Sequence, residues 1–182
     1  MQKKTDNHNL SAKLAVRTSI LREMNCDLDV ADCFSGSETI WTSLAQDLPV
    51  ERYLALDIKQ KRGRLKLDSL RYLQSGNWTH NVIDLDAYGS PWEHYDEALK
   101  HFKGGAIFLT IGNTIMKNQS KFSISEAGLP SGIPIGMHAA LAQTIEDRLL
   151  PLPLKYGFVF DKAVLHKNNG GNAHYFGCII SR

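Results

Sequence analysis

Long hydrophobic runs are missing from this sequence, and no segment reaches the length needed to span a bilayer. Its first ten residues, MQKKTDNHNL, are polar and lack the apolar centre of a secretion signal. Cysteine is scarce: Cys26, Cys33 and Cys178 are odd in number and form no CxxC pair. A disulfide framework and a thiolate zinc site are therefore disfavoured, and the three thiols read as small apolar fillers in a reducing, cytoplasmic setting. His138, His166 and His174 have no ligand spacing, so no metal is expected. A strong charge of either sign is also lacking. The formal net charge of +2 does not demand a polyanionic partner, nor does it exclude a local basic patch. There is no internal repeat and no low-complexity tract.

What is present suits one domain over residues 1–182, with residues 1–9 a frayed end. At 43% hydrophobic and 22% charged residues, the chain can bury a core without staples. Leu10, Leu14, Leu21 and Met24 recur at roughly helical spacing and predict a helix over 10–24. Short apolar runs follow at 28–34 (LDVADCF), 52–58 (RYLALDI), 81–86 (NVIDLD) and 105–111 (GAIFLTI). Between them lie a helix over 37–48, ended by Pro49, and a basic run over 59–66. In SPWE, Ser90 and Glu93 have capping-box spacing and Pro91 suits the first helical position of a helix continuing to Phe102. Residues 112–136 read as a long loop, and 137–150 as a helix ended by Pro151. FVFDKAVL and AHYFGCII flank the turn-forming NNGGN, which predicts a closing hairpin. Strands alternating with helices imply a mostly parallel α/β sheet, and the hairpin adds an antiparallel pair.

Ligands of open α/β sheets bind outside the carboxyl ends of the strands. The first strand ends in DCFSGSE, with Asp32, Phe34, Gly36 and Glu38. Asp57 ends the second strand, about 20 residues after Gly36, the spacing of an acid that grips ribose hydroxyls. Asp68 and Ser69 fall where a further strand would end, and Asp84 and Asp86 close the NVIDLD run. A phosphate site favours glycines, a helix N-terminus or a lysine. A rim of acids instead suits a nucleoside with a cationic tail. S-adenosyl-L-methionine fits: ribose on Asp57, an adenine amine on Asp68, and the ammonium and sulfonium on the acidic first turn. Taken singly, an acid ending a strand is often only a helix cap.

From about Leu10 onward the chain resembles a class I S-adenosylmethionine-dependent methyltransferase. VADCFSGSE is similar to the first motif of that family, with Glu38 where a second glycine is usual. YLALDI is similar to the second motif, with Asp57 as the ribose acid and Ile58 packing on adenine, and LDSLRYL to the third, which includes Asp68 and Ser69. The resemblance implies a Rossmann-like methyltransferase fold, a mostly parallel sheet flanked by helices with a C-terminal antiparallel hairpin. IDLDAYGSP resembles the DPFGSP-type fourth motif of tRNA guanine-N2 dimethyltransferases, with Asp86 as the acid, Tyr88 as the aromatic and Ala87 in place of the usual proline.

The expected chemistry follows from the acceptor. An exocyclic base amine is a poor nucleophile because its lone pair is delocalised into the ring. Asp86 would accept its N–H hydrogen bonds and take its proton, and Tyr88 would stack on the base. An RNA substrate is expected ahead of DNA, with no membrane partner. Lys117 and Lys121 of the long loop and the basic run at 59–66 are weaker candidates for backbone contact. Arg17, on the first helix, carries little weight as a cofactor contact. A non-catalytic nucleoside-binding module and a small-molecule methyltransferase remain as alternatives.

Overall fold

A computed structural model describes residues 9–36, 39–58, 65–87, 91–112, 149–166 and 173–182. Ser37, Glu38, Tyr88, Gly89 and Ser90 lie outside the described residues, as do most of the basic run, the expected loop from 113, nearly all of the helix expected over 137–150 and the hairpin turn. In chain order the elements are α1 (Leu10–Leu21), β1 (Leu28–Asp32), α2 (Thr39–Leu44), β2 (Val50–Asp57), β3 (Leu65–Lys66) and α3 (Ser69–Gln74). They continue with β4 (Val82–Leu85), α4 (Trp92–His101), β5 (Gly105–Gly112), α5 (Pro151–Lys155), β6 (Val159–His166) and β7 (Ala173–Ser181).

The strands form one seven-stranded sheet in the order β3-β2-β1-β4-β5-β7-β6. From β3 to β5 every pairing is parallel, and β7 runs antiparallel to both β5 and β6. The chain walks outward from β1 to β3, then returns to the far side of β1 for β4. The switch point therefore lies between β1 and β4, where this class of sheet opens its binding crevice.

Alternation along the strands separates two faces. Val30, Val82 and Ala106 stand in one row across the sheet, and Asp32, Asp84 and Phe108 in the next. This face packs under α1 and α2, against Val16, Ile20, Leu21, Ile40, Trp41 and Leu44. The opposite face carries Ala31, Ile83, Leu85, Ile107, Leu109 and Cys178 under Leu73, Trp92, Tyr95, Leu99 and Phe102 of α3, α4 and their flanks. Each fully buried aliphatic side chain contributes roughly 1.5–3 kcal/mol. Val16, Ile20 and Leu21 thus outweigh any intrinsic propensity in fixing α1 to the sheet. Gly177 of β7 makes their approach possible: a Cβ there would lie 2.8 Å from Phe108 and 3.0 Å from Val16.

Several boundaries differ from expectation. α1 ends at Leu21 and turns through Met24, and α2 is six residues long with turns carrying the chain on to Leu48. Pro91 occupies the N-cap of α4, with φ −90° and ψ −1°, and the helix begins at Trp92. β3 is only two residues long, too short to show as an apolar run. α5 was hidden by its prolines. Pro151 and Pro153 sit in the first helical turn, where a missing N–H leaves no bond unmade. Cys33 and Cys178 are buried fillers as expected, but Cys26 is exposed and is no filler.

Candidate active site

On the α1 face the sheet changes from apolar to charged at its carboxyl edge. Asp32 is the last residue of β1, in register with Asp84 of β4, so their side chains stand side by side. Asp86 lies one alternation further along. Successive turns of α1 meet Asp84 of β4 and Asp86 just past its end. Arg17 Nε donates to Asp84 Oδ2 at 2.8 Å and its Nη2 to Oδ1 at 2.6 Å, a two-pronged grip. Trp41 Nε1 also donates to Asp84 Oδ2, at 2.7 Å. One turn earlier, Lys13 Nζ donates to both oxygens of Asp86, at 2.8 and 2.6 Å. Tyr53 of β2 donates its hydroxyl to Asp32 Oδ2 at 2.8 Å, and the Phe34 N–H to Oδ1 at 3.2 Å.

The electrostatics separate the three acids. Burial works against the Arg17 charge, but Asp84 outweighs it and keeps the guanidinium protonated. Burial would likewise raise Asp86, yet Arg17 and Lys13 together hold its carboxyl below the ordinary range. The buried Thr110 hydroxyl at the end of β5 faces the same carboxylate and adds to this effect, without completing a hydrogen bond of ordinary geometry. Asp32 goes the other way. Burial, then the neighbouring Asp84 charge, push its carboxyl well above the usual range, and the bonds from Tyr53 and Phe34 only partly offset them. Among the described residues two cations thus serve three clustered acids, Asp86 partly and the other two fully buried, and the shortfall falls on Asp32.

Of the remaining expected residues, those described lie at or just past the carboxyl ends of the parallel strands. The loop after β1 is tied to β2 by the Ser35 N–H donating to Leu56 O at 3.0 Å. Gly36 there has φ 49°, a left-handed conformation glycine adopts at no steric cost. Ser35 Oγ is buried with no hydrogen-bond partner among the described residues. Asp57 ends β2 half-buried, and Ile58 beside it is 67% exposed. Asp32, Asp57 and Asp86 therefore lie at the carboxyl ends of three adjacent parallel strands, Asp86 just past the end of β4. Asp68 is the N-cap of α3, its Oδ1 accepting the Leu70 N–H at 2.9 Å. Ser69 Oγ lies 3.2 Å from His94 Nε2, and the His94 ring stands 4.8 Å from that of Phe34.

Sequence reasoning missed Lys13, Trp41, Tyr53, Thr110 and His94, and undervalued Arg17. One signal for the pair on α1 was available: two cations four residues apart on a helix whose other side chains at that spacing are apolar. Asp86 is also less accessible than a free hydrogen-bond acceptor, since Lys13 already engages both of its oxygens. Among the described residues no group of histidine, cysteine and acidic side chains is placed to hold a metal ion, and no helix is long and apolar enough to cross a membrane.

No protein-family model and no curated protein sequence matches the chain. Solved structures do match in fold. Trm1 from Pyrococcus horikoshii, in complex with S-adenosyl-L-methionine, superposes with a TM-score of 0.69 at 15% identity over 94% of this chain and 54% of that one. This chain thus spans about half the length of that protein. A hemolysin candidate from Lactococcus lactis superposes at 0.62, with 12% identity over 94% of this chain and 87% of that one. Magnesium protoporphyrin IX methyltransferase from Synechocystis, with bound SAH, superposes at 0.52, with 12% identity over 95% of this chain and 82% of that one. The molecule therefore has the Rossmann-like methyltransferase fold: a mostly parallel sheet between helices, closed by an antiparallel hairpin.

Proposed function

We propose that this protein is an S-adenosylmethionine-dependent methyltransferase acting on an exocyclic amine of a nucleic-acid base, with RNA guanine the favoured acceptor. One observation carries the reading: a buried carboxyl, Asp32, which pairs with no cation among the described residues, stands at the switch point of a methyltransferase fold. The residues present fit the cofactor. Asp32 suits its cationic end, Ser35 Oγ is a buried hydroxyl in need of a partner, and the Gly36 backbone allows close approach. Asp57 suits the ribose and exposed Ile58 offers an apolar face to adenine, with Phe34, Asp68 and Ser69 along the edge. Glu38 and Tyr88, outside the described residues, keep their proposed roles at the amino end and against the base. Bound there, the cofactor supplies an electrophilic methyl group on a sulfonium.

Asp86 accepts hydrogen bonds from the acceptor amine and fixes its orientation. Its carboxyl is held ionised by Arg17 and Lys13, so it serves better as a directing anion than as a store for the proton, which passes on to solvent. RNA is favoured because Asp86, Ala87, Tyr88, Gly89, Ser90 and Pro91 resemble the fourth motif of the tRNA guanine enzymes.

The test is transfer of labelled methyl from S-adenosylmethionine to unmodified RNA, to DNA and to small amine acceptors, with Asp86→Asn in parallel. The expected result is RNA labelling that falls with salt, and a loss of about 10²-fold or more in Asp86→Asn. Cofactor binding without transfer to any acceptor would make the protein a binding module. Salt-insensitive transfer to a small molecule would replace the nucleic-acid reading.

A further inference from the structure

Lys13 has so far figured only as a charge that keeps Asp86 ionised, yet it is buried, with 7% exposure, and bonds both oxygens of that one carboxylate. Its ammonium bonds both oxygens of Asp86 at 2.6 and 2.8 Å and lies 5.9 Å from the centre of the Tyr175 ring. Asp86 itself keeps 15% of its side chain exposed, so one side of the carboxylate still faces outward. A carboxylate on a strand end can rotate about its last torsion. One bound on both oxygens by a buried ammonium cannot do so freely. Arg17, one turn along the same helix, donates to the Lys13 carbonyl at 3.2 Å and so ties the two cationic turns together.

Resting on the methyltransferase reading, we propose that Lys13 is a positioning residue for methyl transfer: it locks the plane of Asp86 and leaves the outward lone pairs to the acceptor amine. Among the described residues the groups facing Asp86 are Lys13 and Arg17 from α1, Asp84 on β4, Asp32 on β1, Thr110 on β5 and Tyr175 on β7. Of these, Lys13 is the one cation that bonds Asp86 directly, while Arg17 is committed to Asp84.

The test compares wild type, Lys13→Met and Lys13→Arg in methyl transfer across pH, alongside titration of the Asp86 carboxyl by carbon NMR. Lys13→Met should lower kcat about tenfold or more, since orientation is lost. It should also move the acidic limb of the pH profile and the Asp86 midpoint upward by about one pH unit. KM for S-adenosylmethionine should stay within about twofold of wild type, and Lys13→Arg should restore the limb. Where Lys13→Met does not fold, Lys13→Gln removes the charge while keeping a donor. An active wild type whose limb and midpoint do not move in the variant overturns the role of Lys13 and leaves the enzyme reading intact. A wild type that transfers no methyl group overturns both.

Discussion

Arg17 closes its fork on Asp84, a residue 67 positions further along the chain, with both side chains almost wholly buried. Each ion is costly to take out of water, and mutual hydrogen bonding plus the Trp41 N–H makes the burial tolerable. Removing one partner should therefore cost far more than removing both. Asp84→Ala should lose about 3–5 kcal/mol, whereas Arg17→Met combined with Asp84→Leu should recover most of that loss. Urea unfolding midpoints read the difference directly. A loss under about 1 kcal/mol in Asp84→Ala would put the pair on the surface in energetic terms.

Asp32 should destabilise the free protein at neutral pH. Its folded-state value is raised by burial and by Asp84, so between the unfolded and the folded value the folded state holds a proton that the unfolded state has released. Its contribution is fully present below the ordinary carboxylate value of about 4 and is lost as pH rises through the raised folded value. Asp32→Asn should raise the Tm at pH 7, flatten the fall of Tm with rising pH over that window, and weaken binding of the cationic cofactor. An unchanged Tm accompanied by unchanged cofactor affinity would contradict the assignment.

Asp68 has two candidate roles, which two substitutions separate. As the N-cap of α3 it should cost about 1 kcal/mol when changed to Ala and only a few tenths when changed to Ser. If it also reaches the adenine edge, Asp68→Ser should still weaken cofactor binding although stability is kept. Calorimetric binding of S-adenosylhomocysteine to both variants decides the matter.

The four long parallel strands were legible because each is an apolar run bounded by a turn or an acid. The hairpin was legible from NNGGN. The ion network was not. Lys13 meets Asp86 across 73 positions, and no local pattern connects them. Periodicity read Leu10, Leu14, Leu21 and Met24 as one helical face; Leu21 is buried, but the other three are only partly so, while Lys13 and Arg17 are buried beside Val16 and Ile20. A helix face chosen by apolar letters cannot show cations whose partners come from a distant strand. Tyr53 was hidden similarly, because its bond to Asp32 follows from the register of β1 on β2. Asp68 shows the converse: its place at a strand end was legible, and its helix-capping bond was the ordinary use of an acid there.

A second polar chain lies toward the start of β1. The Tyr72 hydroxyl is 2.6 Å from His80 Nε2, His80 Nδ1 is 2.7 Å from Asp29 Oδ1, and Arg52 pairs with the other Asp29 oxygen. Burial, with smaller effects from Cys33 and Asp29, pushes the Tyr72 phenol up to about 12, so it stays neutral. Tyr72→Phe should cost about 1 kcal/mol of stability and leave cofactor affinity unchanged. A large drop in affinity would mean that the two ends of β1 are coupled.

The most direct measurement is the melting temperature with S-adenosylmethionine, S-adenosylhomocysteine and NAD, each titrated against wild type and Asp57→Ala. A ligand at 100 times its Kd adds about 2.7 kcal/mol to the folded state. The expected result is a clear rise with the two adenosyl sulfur compounds, little with NAD, and a smaller rise in Asp57→Ala. A rise with NAD alone, or none with either sulfur compound at millimolar concentration, would contradict the claim that this acidic rim holds a cationic adenosine derivative.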